Sequence, residues 1–83
     1  MPLFIDIHTL PEAVDLDQAA EAHAADLAAQ AEHGVDYQRY WLDTTGHRIF
    51  CLVSAPDAEA AAHVHKQAHG LVADEIYEVH EGK

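Results

Sequence analysis

The chain is short of several things, and each shortage removes a class of function. Its 83 residues hold one cysteine, Cys51, so no internal disulfide can staple it. Only 4 glycines are present, widely separated, which leaves no glycine run to cradle a phosphate. Lys and Arg together number 4 against 15 Asp and Glu, for a net charge of −11. A chain that acidic offers no basic face to nucleic acid or to an anionic membrane surface. No apolar run approaches the roughly 20 residues that span a bilayer, and no basic stretch leads into an apolar one at the N-terminus. The expectation is a cytoplasmic protein without a signal peptide. No elbow motif surrounds a serine and no family signature of nucleophilic cysteines surrounds Cys51, which reads as a buried, inert thiol in a strand.

What the chain has is histidine, 8 copies of it, in a sequence that is 49% hydrophobic and so able to build a core. Residues 1–83 read as one small domain, and a domain of this size commonly leans on a metal or a second subunit for stability.

Hydrophobic periodicity gives the elements. Residues 3–9, LFIDIHT, alternate as a strand, with Leu3, Ile5 and Ile7 on one side and Phe4, Asp6 and His8 on the other. Pro11 ends it. Residues 16–33 are alanine-rich and helical, with Asp15 as N-cap, Gly34 as the left-handed stop, and Leu16, Ala20, Ala24, Leu27 and Ala31 as the expected buried stripe. Residues 36–43 and 48–54 read as strands joined by the turn 44–47, a hairpin. Pro56 and Asp57 open a second helix with stripe Ala61, Val64, Ala68 and Leu71, weakened at its end by Gly70. Residues 74–80 make the last strand, and Glu81, Gly82 and Lys83 an acidic tail.

The order β-α-β-β-α-β in so short a chain is the signature of an α+β, ferredoxin-like sandwich with an antiparallel sheet in the order 4-1-3-2. Both helices cover one face. The other face is left open, and the parity expected on it is Phe4, Asp6 and His8 from the first strand and Ile76, Glu78 and His80 from the last. A mixed, aromatic-bearing open face predicts a homodimer through the sheet.

Two constellations carry metal-binding chemistry. His65 and His69 stand four apart on the second helix and share a face, so both imidazoles can grip one ion; they are expected on the flank of the apolar stripe. Glu59 and His63 are paired in the same way on another face. On the strands, Asp6 with His8 and Glu78 with His80 offer mixed oxygen and imidazole donors suited to a borderline ion such as nickel, zinc or cobalt. The alternatives for these strand residues are a polar lining of the dimer interface, or paired carboxylates compensated by Arg39 and Arg48. The candidate ligands are His65 and His69 first, then His8, His63, Glu78 and His80. His23 reads as a packed core residue, His33 as a helix-end charge and His47 as solvated.

The strings HTLP (8–11), AHAADL (22–27), HGVDYQRYW (33–41), FCLVSAPDAE (50–59) and VHKQAHGLVADEIYEV (64–79) together resemble the small nickel-binding, nickel-responsive proteins of actinobacteria. The resemblance runs over nearly the whole chain. It implies a ferredoxin-like homodimer that binds Ni²⁺ at its surface for sequestration or detoxification. A rival reading comes from the fold alone: dimeric α/β-barrel proteins of this topology include cofactor-independent monooxygenases, isomerases and small-ligand binders. A deep pocket lined by His23, Tyr40 and Trp41 is the feature expected of that rival.

Overall fold

The computed structural model describes residues 1–82; Lys83, the end of the expected acidic tail, lies outside them. The elements come in the expected order: β1 (Leu3–Thr9), α1 (Leu16–Ala29), a 3-10 turn (Gln30–His33), β2 (Asp36–Leu42), β3 (Arg48–Ser54), α2 (Ala58–Ala68) and β4 (Glu75–Val79). The first helix therefore tightens over its last turn. The last strand is shorter than expected, which leaves His80 beyond it.

Local chemistry explains these limits. Asp15 closes a capping box: its carboxylate accepts from the Gln18 amide at 2.8 Å, and the Gln18 side chain accepts from the Asp15 amide at 3.0 Å. Asp57 caps α2 through the Ala60 amide at 2.8 Å. Gly34, at φ 65°, stops the 3-10 turn. Gly46, at φ 79°, is required twice over, because a Cβ there would stand 2.6 Å from the Val14 carbonyl oxygen.

The sheet order is β2-β3-β1-β4, the expected 4-1-3-2 read from the opposite edge, with every neighbouring pair antiparallel. The faces are the reverse of the expectation. Phe4, Asp6 and His8 lie under the helices and are buried, while Leu3, Ile5 and Ile7 are only half-buried and line the open face. Alternation assigns the more polar side of a strand to solvent. Here the polar groups of that side satisfy one another, which is what allows them inside.

In register, Asp6 faces Cys51 on β3 and Ile76 on β4, and Phe4 faces Val53 and Glu78. Asp6 and Glu78 are thus two register positions apart rather than directly opposite. The open face collects Ile5, Ile7, Phe50 and Leu52, with Trp41 and Tyr77 about half exposed at 50% and 53%.

Two further details set the interior. The β2–β3 register shifts between Tyr37 and Arg39, so that Tyr37 pairs with Val53 and Tyr40 with Cys51. Three residues apart, these tyrosines would point to opposite faces of a regular strand; the irregularity turns both toward the helices. The first helix turns a different side inward from the expected stripe. Leu16 and Leu27 are exposed, and Ala19 and Asp26 are buried. Around Tyr37 the apolar core comprises Phe4, Val35, Val53, Ala61 and Val64. No helix among the described residues is long and apolar enough to cross a membrane.

Candidate metal centre

Four elements send polar side chains into the space between helices and sheet. From β1 come Asp6 and His8, two residues apart and therefore on one side of the pleat. From α2 come His65 and His69, one turn apart. Asp26 arrives from α1, Tyr37 from β2 and Cys51 from β3. Asp6, His65 and Asp26 are buried to 2% exposure or less, and His8 to 5%.

The side chains converge on His65. Its Nδ1 is 2.8 Å from Asp26 Oδ1, and its Nε2 is 2.9 Å from Asp6 Oδ2. His8 Nε2 lies 3.2 Å from Asp6 Oδ1 and 3.2 Å from His65 Nε2. Tyr37 donates its hydroxyl to Asp6 Oδ2 at 2.9 Å, with the Ala61 carbonyl at 3.1 Å. His69 Nε2 stands 3.1 Å from Asp26 Oδ1.

The electrostatics follow from this packing. Burial alone would lift the Asp6 carboxyl, but hydrogen bonds from His65 and His8 outweigh it and hold Asp6 far below the usual carboxylate range. Asp26 is lowered against the same burial by His65 and His69. Burial would discharge His65, yet its hydrogen bonds to Asp26 and Asp6 push its pKa up to about 9. Burial, and next the charge of Asp6, push the Tyr37 hydroxyl and the Cys51 thiol up. At neutral pH the Asp6 and Asp26 carboxylates therefore flank the His65 imidazolium, with neutral phenol and thiol beside them.

Two overlapping sets of metal-ligating atoms result. Asp6, His8, Cys51 and His65 each place one donor atom within 4.8 Å of the others, and so do Asp26, His65 and His69. Imidazole, carboxylate and thiol together suit a borderline divalent ion. Beside both sets lies a cavity of about 20 Å³, bordered by His8, His23, Tyr40, Cys51, His65 and His69 among others. That is room for about one water molecule. Among the described residues, the one buried side-chain polar atom without a partner is His23 Nδ1, and the His23 ring packs on Tyr40 at 4.7 Å between centroids. Trp41, the third residue expected of an enzyme-type pocket, stands half exposed on the opposite face of the sheet.

The candidate ligands separate in space. His8, His65 and His69 meet in the cluster, although His65 is fully buried rather than on the flank of its helix. His63 points outward and pairs with His33 at 6.0 Å between ring centroids. Glu78 on β4 and His80 just beyond it are exposed. Sequence reasoning passed over Asp26 and the outer partner Tyr37, and read Cys51 as an inert buried thiol rather than a donor beside Asp6, His8 and His65. The one signal for Asp26 was its place three residues after His23 in an otherwise alanine-rich helix, where two polar residues share a side.

A family model described as "Nickel responsive protein SCO4226-like" matches residues 4–79. The crystal structure of SCO4226 from Streptomyces coelicolor A3(2) is similar to this chain, with a TM-score of 0.89 and 38% sequence identity, over 98% of this chain and 99% of that one. No curated protein matches the chain.

Proposed function

We propose that this chain, which belongs to the nickel-responsive SCO4226-like family, binds a divalent transition-metal ion in its interior as cargo, Ni²⁺ first and Zn²⁺ or Co²⁺ as competitors. The observation that carries the reading is the convergence of Asp6, His8 and His65 beside Cys51 under a cover of helices. Asp6 and the Nε2 atoms of His8 and His65 are the ligands, and Cys51 is available to an ion that can draw off its proton. His63, Glu78 and His80 are not ligands of this ion. The role is sequestration in the cytoplasm. The acidic surface, at net charge −11, raises the local cation concentration.

The working unit in this reading is a homodimer formed through the open sheet face. The support is its apolar character: Ile5, Ile7, Phe50 and Leu52 with Trp41 and Tyr77 form a contiguous patch that water alone would face.

Calorimetry and elemental analysis on tag-free protein test the metal site. The wild-type chain should take up Ni²⁺ stoichiometrically, and His65→Ala should remove the tightest-binding ion. A His63→Ala/His80→Ala double variant should keep it. The opposite pattern would place the ion at the surface instead. With Co²⁺, a charge-transfer band in the near ultraviolet would report Cys51 thiolate coordination.

A further inference from the structure

We infer that the second copy seats on the open face in one orientation, with Arg39 and Arg48 of one protomer against the partner's Glu75 and the two-fold axis running along the strands. The inference rests on the homodimer proposed above and says how its two faces meet.

The open face differs in charge from the rest of the chain. Register places four charged residues on it: Arg39 pairs with Leu52, Arg48 with Thr9, Glu75 with Ile7 and Asp36 with Ser54. All four are exposed. Two positive and two negative charges cancel, so the rest of the chain carries the whole net charge of −11. Both of the chain's arginines are on this face. What fits it is a surface apolar in the middle and balanced in charge at the margins, which a second copy supplies. Two copies that met through their carboxylate-rich sides would bring like charges together.

The arginines also lack partners within the chain. Among the described residues, the ion pairs within 4.0 Å all involve histidine, and neither guanidinium has a carboxylate at that distance. Arg48 and Glu75 border one groove with Ile7, Thr9, Phe50 and Asp74, yet β1 stands between their strands. Asp74 is already engaged, since its carboxylate accepts from the Thr9 amide at 2.6 Å.

The separation of charge across the face selects the axis. Arg39 lies on the β2 edge and Arg48 on β3 beside it, while Glu75 lies on the opposite edge, β4. Two copies packed face to face are related by a two-fold axis in the plane of contact, and the patch must complement itself. An axis across the strands lays β2 on the partner's β2, so that arginine meets arginine and glutamate meets glutamate. An axis along the strands lays β2 on the partner's β4. The partner's Glu75 then comes down between Arg39 and Arg48, and symmetry repeats the contact. Asp36, at the far end of the β2 edge, meets the uncharged row of the partner's Val79. The roughly 30° that twist imposes between packed sheets does not change which edges meet.

Sedimentation velocity on the full chain tests the arrangement, using reversals at exposed positions away from the core and the metal cluster. Arg39→Glu/Arg48→Glu and Glu75→Arg should each weaken self-association about 10- to 100-fold, because like charges then face one another across a docked surface. Mixed in equal amounts, the two variants should form a heterodimer nearly as tight as the wild-type dimer, since both of its contacts regain opposite charges. Native mass spectrometry identifies that species by its mass. A homodimer of either variant as tight as the wild type would overturn the arrangement: with the axis across the strands, reversal only exchanges one like pair for another. Weakened homodimers that mixing does not rescue would overturn it too, because the reversed residues would then not meet one another. A monomeric wild type would refute the homodimer itself, and this arrangement with it.

Discussion

Metal uptake at the proposed centre would compete with a proton, and the strength of that competition can be worked out. Between Asp26 and Asp6 the His65 pKa is pushed up to about 9. At pH 7 the ring therefore holds protons on both nitrogens, and an ion ligated by Nε2 must displace one. Two pH units below the pKa, about one ring in a hundred has a free nitrogen, so apparent affinity is weakened about 100-fold, or roughly 3 kcal/mol. Affinity for Ni²⁺ should rise about tenfold from pH 7 to pH 8, with one proton released per ion. If Cys51 joins as thiolate, a second proton leaves and the rise approaches 100-fold. The charge balance agrees: Asp6, Asp26 and protonated His65 sum to −1, whereas a divalent ion beside neutral His65 cancels both carboxylates.

The assay is calorimetry with Ni²⁺ at pH 7.0 and 8.0, each in two weakly coordinating buffers of different ionisation enthalpy, from which the released protons are counted. In His65→Ala the proton count should fall and the pH slope flatten. An affinity that does not change between these pH values, with no proton released by the wild-type chain, would refute ligation through His65 Nε2.

Other consequences are independent of metal. With chelator present, the raised pKa of His65 contributes stability that is complete below pH 6.5 and is lost as pH rises through about 9. The lowered pKa values of Asp6 and Asp26 contribute stability that is present above the ordinary carboxylate range and is lost as pH falls through their folded-state values. Thermal melts should therefore peak in the window between these limits and fall by several degrees from pH 6.5 to pH 9. His65→Ala leaves two buried carboxylates without their imidazolium and should cost about 3–5 kcal/mol by urea unfolding at pH 7. Gly46→Ala forces a side chain to within 2.6 Å of the Val14 carbonyl at a positive φ and should lower the melting temperature, with a cost of about 2 kcal/mol. Ile5→Asp, on the open face, should give a monomer by light scattering while the wild type elutes as a dimer.

The order of elements was legible because each boundary has its own chemistry: the Asp15 and Asp57 caps, the left-handed Gly34, and the Asp43–Gly46 turn between β2 and β3. The faces were less legible. Both sides of β1 carry apolar residues, and an alanine-rich helix such as α1 ranks its sides poorly by hydrophobicity, so the inward side holding Asp26 gives no apolar signal. The irregularity that turns Tyr37 and Tyr40 to the same side leaves no mark on the residue pattern. The His65–His69 spacing marked two residues that the structure does bring into one buried cluster. The spacing could not show that His65 is enclosed while His69 stays near the surface, because that depends on how α2 packs on α1 and the sheet.

The two unexpected faces have one origin. A one-residue change of register in β1 would bury Leu3, Ile5 and Ile7 and return Asp6 and His8 to water. The observed arrangement does the reverse, with polar groups in the interior and isoleucines on the open side. A buried triad such as Asp6, His65 and Asp26 is seldom the most stable choice, since packed apolar residues of like volume commonly do as well or better. In an 83-residue chain with little stability in reserve, such an inversion is tolerable when both faces are later satisfied from outside. On the proposed reading a divalent ion would neutralise the interior carboxylates, and a second copy of the chain would cover the isoleucines. Each partner would then add its binding free energy to folding, so the prediction is that metal-free monomer melts lowest and metal-loaded dimer highest.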